Sequence, residues 1–136
     1  LKNLELEEQL NEKLAILWIG LAVLAVTASS ALAHEKVKLT GYVVDVTCFA
    51  EYVSATPEAA TKAAAEHTKE CALMEDCVKS GYGIYVDGKW YPFDAKGNGL
   101  AKALFEKTSK KDHIKMIVEG MKHDGKILVE KLTEAE

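Results

Sequence analysis

Residues 83–93, Gly83-Ile84-Tyr85-Val86-Asp87-Gly88-Lys89-Trp90-Tyr91-Pro92-Phe93, decide the fold. Two short runs rich in β-branched and aromatic residues flank Asp87-Gly88, a pair suited to a two-residue turn with positive φ at both positions. That turn sets Val86 opposite Lys89, Tyr85 opposite Trp90 and Ile84 opposite Tyr91. Side chains alternate along a strand, so Tyr82, Ile84, Val86, Tyr91 and Phe93 share the face expected to enter the core. Tyr85 and Trp90 share the other face, beside Gly83 and Pro92. They form a candidate contact or ligand platform, or else a rim pair covered by neighbouring chain.

Working outward, residues 37–47 (VKLTGYVVDVT) read as a strand, with Gly41 as the place for a bend or bulge. Thr56-Pro57-Glu58 opens a helix with a threonine cap, a proline in the first turn and an acid near the positive end of the dipole. The pattern runs on to Gly81, a natural stop. Asn98 caps a second, short helix bearing Leu100, Ala103 and Leu104. A final hairpin pairs 113–122 with 126–132 across Asp124-Gly125. The fold class expected is α+β: a long N-terminal apolar helix, then a small OB-like five-stranded β-barrel with a helical insert, 56–80, after strand 1.

The 136 residues suffice for one domain and a short appendage. Residues 1–33 form that appendage and residues 34–136 the OB-like head. Leu14–Val26 is continuously apolar, and no charge interrupts the chain before Ala33. One reading is a secretory signal peptide cleaved after Ala31-Leu32-Ala33. The other is a retained packing or anchor helix, long enough to cross a bilayer. Leu14, Leu17, Trp18, Gly20, Leu21, Leu24 and Ala25 make it apolar all round, so in water it needs copies of itself or a membrane against it. Either way the head is expected outside the cytoplasm, extracellular or at the cell surface, with the periplasm as the alternative.

Seventeen basic residues, all lysine, stand against 21 acidic ones, a net charge of -4. Nucleic acid is therefore not an expected partner, since phosphate binding needs a basic surface. Without arginine there is no planar fork for bidentate phosphate recognition either. Asp45, Glu51, Glu75, Asp76, Asp87, Asp94 and Asp112 are scattered among lysines. His34, His113 and His123 stand at domain or strand ends without a nucleophile signature, so no catalytic residue and no enzyme is expected.

Cys48, His67, Cys71 and Cys77 are the one chemically distinctive set. His67 and Cys71 are four apart and share a helix face, and three thiolates plus an imidazole can bind zinc tetrahedrally. The steps Ala60, Ala64, His67, Cys71, Met74, Val78 also fit a plain buried stripe. In an oxidising compartment two of the three cysteines are expected to pair, a reading preferred here to metal, and no cofactor is otherwise expected. On an unbroken helix Cys71 and Cys77 would point about 120° apart, so their pairing would need a break near Leu73–Asp76.

The stretch Gly41-Tyr42-Val43-Val44-Asp45, with Cys48, His67, Cys71, Cys77 and Ser80-Gly81-Tyr82-Gly83, resembles a group of small exported bacterial OB-like proteins of unassigned function. The resemblance covers roughly 37–132 and implies the barrel but no activity. An apolar N-terminal helix before a globular head is also similar in layout to pilins. That likeness implies a non-enzymatic structural subunit of an extracellular, filament-like assembly, joined to its copies through the N-terminal helix. The alternative is a periplasmic, soluble or membrane-anchored binding module for a small ligand, glycan or metal.

Overall fold

The computed structural model describes residues 7–13, 34–53 and 55–136. The chain divides into two units, Leu1–Ala33 and His34–Glu136. In the first, α1 (residues 7–13) is short and exposed. Its glutamates and lysine make it polar, which corrects the expectation of a long apolar N-terminal helix. Among the described residues no helix is long and apolar enough to cross a membrane. The expected assembly residues Leu14, Leu17, Trp18, Gly20, Leu21, Leu24 and Ala25 lie outside the described residues.

The second unit is built on one antiparallel sheet of β1 (Glu35–Asp45), β2 (Tyr82–Val86), β3 (Lys89–Pro92), β4 (Lys115–His123) and β5 (Lys126–Glu134), in the order β3-β2-β1-β4-β5. β1 changes partner along its length. From Glu35 to Tyr42 it pairs with β4, and from Tyr42 to Asp45 with β2. Gly41 sits at the changeover, where a Cβ would fall 2.2 Å from the Tyr85 carbonyl oxygen, so only glycine admits the crossing backbone. Both Asp-Gly turns carry positive φ at each residue, 47° and 79° at Asp87-Gly88 and 47° and 76° at Asp124-Gly125.

The sheet is open, which corrects the expected barrel. β3 and β5, its two edges, form no ladder with each other; just past β3 a parallel bridge joins Phe93 to Ile127, and the Asp94 amide donates to the Ile127 carbonyl at 3.1 Å. β3 is four residues long and ends at Pro92, which has no N–H to extend a ladder.

Tyr82, Ile84, Met116, Val118 and Ile127 fill one face of the sheet together with Phe105. Phe105 comes from α6 (Ala95–Lys107), which is held by Asp94: its Oδ1 accepts from the Gly97 and Val129 amides. Asn98, the expected cap, instead lies inside α6, where its Oδ1 accepts from the Tyr82 amide at 2.8 Å. A smaller apolar cluster of Val44, Ala60, Ala64 and Tyr85 occupies the other face, with Phe49, Tyr52 and Trp90 packed against it.

The chain between β1 and β2 is not one long helix. It forms α2 (Val46–Tyr52), α3 (Pro57–Glu66), α4 (Lys69–Ala72) and α5 (Glu75–Ser80). β1 stops at Asp45 rather than at Thr47 because the Asp45 carboxylate caps α2. The expected continuous helix breaks at His67, which is extended, and Thr68 starts α4 by accepting from the Cys71 amide. A second break at Leu73 and Met74 precedes α5. These breaks turn His67, Cys71 and Cys77 toward the end of β1.

Candidate metal centre

Asp45 is the last residue of β1 and the cap of α2. Its Oδ1 accepts from the Cys48 amide at 2.9 Å. Cys48 therefore lies in the first turn of α2, directly over the strand end. His67 comes from the break after α3 and donates from Nε2 to Asp45 Oδ2 at 2.8 Å. Both side chains are shut away from solvent, at 2% and 0% exposure. Cys71 comes from α4, and its sulfur stands 3.4 Å from that of Cys48.

One donor atom from each of Asp45, Cys48, His67 and Cys71 lies within 4.8 Å of all the others. A tetrahedral zinc site with bonds of about 2.3 Å to sulfur separates its two thiolates by about 3.8 Å. The two sulfurs therefore stand within a few tenths of an ångström of that separation, and ligation through His67 Nε2 would exchange its hydrogen bond to Asp45 for the ion. The 3.4 Å sulfur contact is too long for a covalent bond, and all three cysteines are free thiols. That corrects the expected disulfide, for which Cys48, Cys71 and Cys77 were the candidates. Their sulfurs share the space with a carboxylate and an imidazole.

Burial and the Asp45 carboxylate set the electrostatics of the cluster. Burial by itself would raise the Asp45 carboxyl. Hydrogen bonds from His67 and the Cys48 amide, with the His67 charge, outweigh it and hold the group below its ordinary range. The Cys48 thiol is pushed far up, first by burial, then by the Cys71 hydrogen bond and the Asp45 charge. Cys77 is pushed up to about 11, again by burial first and then by Asp45. A metal ion reverses this preference by offering each thiolate a positive partner. His67 Nδ1 is buried and finds no hydrogen-bond partner among the described residues.

The structure thus brings together Cys48, His67 and Cys71 of the set read from the sequence. Cys77 is buried in α5 and lies outside that group of four. Asp45 is the residue that sequence reasoning passed over among the scattered acids. Its signal was the spacing Asp45-Val46-Thr47-Cys48, an acid three residues before the group whose amide it caps.

The aromatic pair lies elsewhere. Tyr85 and Trp90 are opposite each other in the β2–β3 ladder. Tyr85 is buried, and Phe49 of α2 stacks on Trp90 with ring centroids 4.5 Å apart and planes 9° from parallel. The platform is thus roofed by α2, the helix that carries Cys48. Compared with known proteins, the chain matches no family model, no curated protein and no solved structure.

Proposed function

We propose that the His34–Glu136 unit is a non-enzymatic metal-binding module that holds one transition-metal ion of the zinc class. The observation that carries this reading is the convergence of Asp45 from β1, Cys48 from α2, His67 from the break after α3 and Cys71 from α4 to within 4.8 Å of one another. Two sulfurs, one nitrogen and one oxygen in a compact set suit a tetrahedral, borderline-soft divalent ion. Four protein donors fill such a shell and leave no position for a substrate, which supports binding rather than catalysis. The uncharged run 14–33 supports delivery of the module across or onto a membrane. The filament reading rests on that same run, outside the described residues, and no described contact favours it.

The test uses the full chain, prepared reduced and metal-free, then mixed with zinc and passed through a desalting column. One zinc per chain is expected, falling to near zero in Cys48→Ser and Cys71→Ser. A wild-type chain that retains no zinc overturns the reading.

A further inference from the structure

A pair of imidazoles lies at the opposite end of β1 from Asp45. His34 and His123 stand with ring centroids 4.7 Å apart and planes tilted by 53°. The sheet register brings them together: Glu35 pairs with Lys122, so His34 enters β1 where His123 closes β4. The Asp124-Gly125 turn, with positive φ at both residues, fixes that end of the hairpin. His34 is exposed and His123 keeps a third of its side chain in solvent, so an ion can reach both. His123 Nε2 lies 3.2 Å from Asp124 Oδ2, which leaves its Nδ1 for another partner. A ligating histidine commonly donates its second ring N–H to a carboxylate in this way. With metal–nitrogen bonds of about 2.0–2.1 Å, two imidazoles about 90–110° apart on one ion have centroids about 4.5–5.2 Å apart. The observed separation falls in that range.

We propose that His34 and His123 form a copper(II) site that is completed when the chain is cut after Ala33. The sequence before that bond, Ala31-Leu32-Ala33 behind an uncharged run, has the small-residue pattern that a signal peptidase reads. Hydrolysis adds water across the Ala33–His34 peptide bond: Ala33 leaves with the carboxylate and His34 keeps a free amine. That amine and His34 Nδ1 close a chelate ring on one ion, and His123 Nδ1 supplies a third nitrogen. In the uncut chain the same nitrogen is an amide, whose lone pair is tied up in resonance. Three nitrogens without sulfur suit copper(II), which heads the divalent series and takes tetragonal nitrogen and oxygen geometry. The site shares no residue with Asp45, Cys48, His67 and Cys71, so it stands or falls independently of the zinc reading.

The experiment produces the full chain in exporting bacterial cells, and intact mass reads its first residue. A product beginning at His34 is expected, and an exported chain that keeps residues 1–33 overturns the proposal. Copper(II) is then added in a Cys48→Ser, Cys71→Ser background, so that those half-buried thiols cannot reduce it. One copper per chain is expected, with three nitrogen couplings in its electron paramagnetic resonance spectrum. His34→Ala and His123→Ala are each expected to weaken binding at least about a hundredfold, beyond the cost of losing a residue that only supports a ligand. Asp124→Asn, which the positive-φ turn tolerates, is expected to cost about tenfold. The uncut chain, made without export, is expected to bind more weakly than the cut one by as much as the histidine variants do. Copper held as tightly by His123→Ala as by its parent overturns the proposal, since the amino-terminal residue would then act alone. Equal affinity of cut and uncut chains also overturns it. Should the double cysteine variant fail to fold, nickel(II), which thiols do not reduce, replaces copper in the wild-type chain. Loss of one bound nickel in each histidine variant is then the expected result, and no loss overturns the site.

Discussion

His67 Nε2 donates to Asp45 Oδ2 at 2.8 Å, with both side chains out of reach of solvent, and this hydrogen bond ties the break after α3 to the end of β1. Asp45 also caps α2, so a single carboxylate fixes both the helix that carries Cys48 and the break that carries His67. Asp45→Ala removes both contacts at once. It is expected to cost about 3 kcal/mol in the metal-free protein, combining a lost cap with a buried imidazole left unpaired. Asp45→Asn still caps the Cys48 amide and should cost clearly less. Urea unfolding of the two variants beside the wild type measures the difference.

Acid should remove the same contribution. The folded carboxyl of Asp45 lies below its ordinary range, so the native state binds this proton less readily than the unfolded chain. The stabilisation is fully present above about pH 4 and is lost as pH falls through the folded value. Midpoints of urea unfolding between pH 2 and pH 6 should therefore fall with acid in the wild type. The slope should be shallower in Asp45→Asn, and identical slopes would remove Asp45 from the acid response.

The thiols are expected to be slow nucleophiles. The Cys77 thiol, pushed up to about 11 by burial and then by the Asp45 charge, stays protonated at pH 8. Relative to an ordinary cysteine, that lowers the thiolate fraction about a hundredfold. In reduced, metal-free protein, iodoacetamide should label Cys77 at least that much more slowly than in urea. Mass spectrometry of the Cys77 peptide over time checks it, and equal rates in the two conditions would contradict the burial described.

Two glycines should respond in opposite ways to alanine. At Gly41 the added methyl would collide with the Tyr85 carbonyl, so Gly41→Ala should destabilise the sheet by about 2–3 kcal/mol. Gly99 lies on the exposed side of α6 with no atom within 4 Å of an added Cβ. Gly99→Ala should therefore stabilise by about 0.5–1 kcal/mol through helix propensity. Thermal unfolding of the two variants reads the signs directly.

The hairpins were legible because Asp87-Gly88 and Asp124-Gly125 are local signals: a two-residue turn is fixed by its own φ angles. Gly41 was legible as a singular point, though its role is a close approach to Tyr85 rather than a bulge. The sheet's openness was not readable, because it depends on how far β3 extends past Pro92 toward a strand some 35 residues later. The breaks at His67 and at Leu73–Met74 were hidden for a related reason. Alanine-rich periodicity favours continuing the helix, and the pull toward Asp45 is a tertiary contact. His67, Cys71 and Cys77 stood out in the sequence by residue type. Asp45 did not, since its partners are 3 and 22 residues away. The preference for a disulfide followed from the presumed compartment, whereas the geometry sets the sulfurs among oxygen and nitrogen donors.

X-ray absorption at the zinc edge of the zinc-loaded full chain tests the metal centre most directly. The account predicts two sulfur neighbours at about 2.3 Å and two nitrogen or oxygen neighbours at about 2.0–2.2 Å. The two-sulfur shell should vanish in Cys71→Ser, which is expected to retain no zinc. A shell of nitrogen and oxygen alone, unchanged by that substitution, would contradict it.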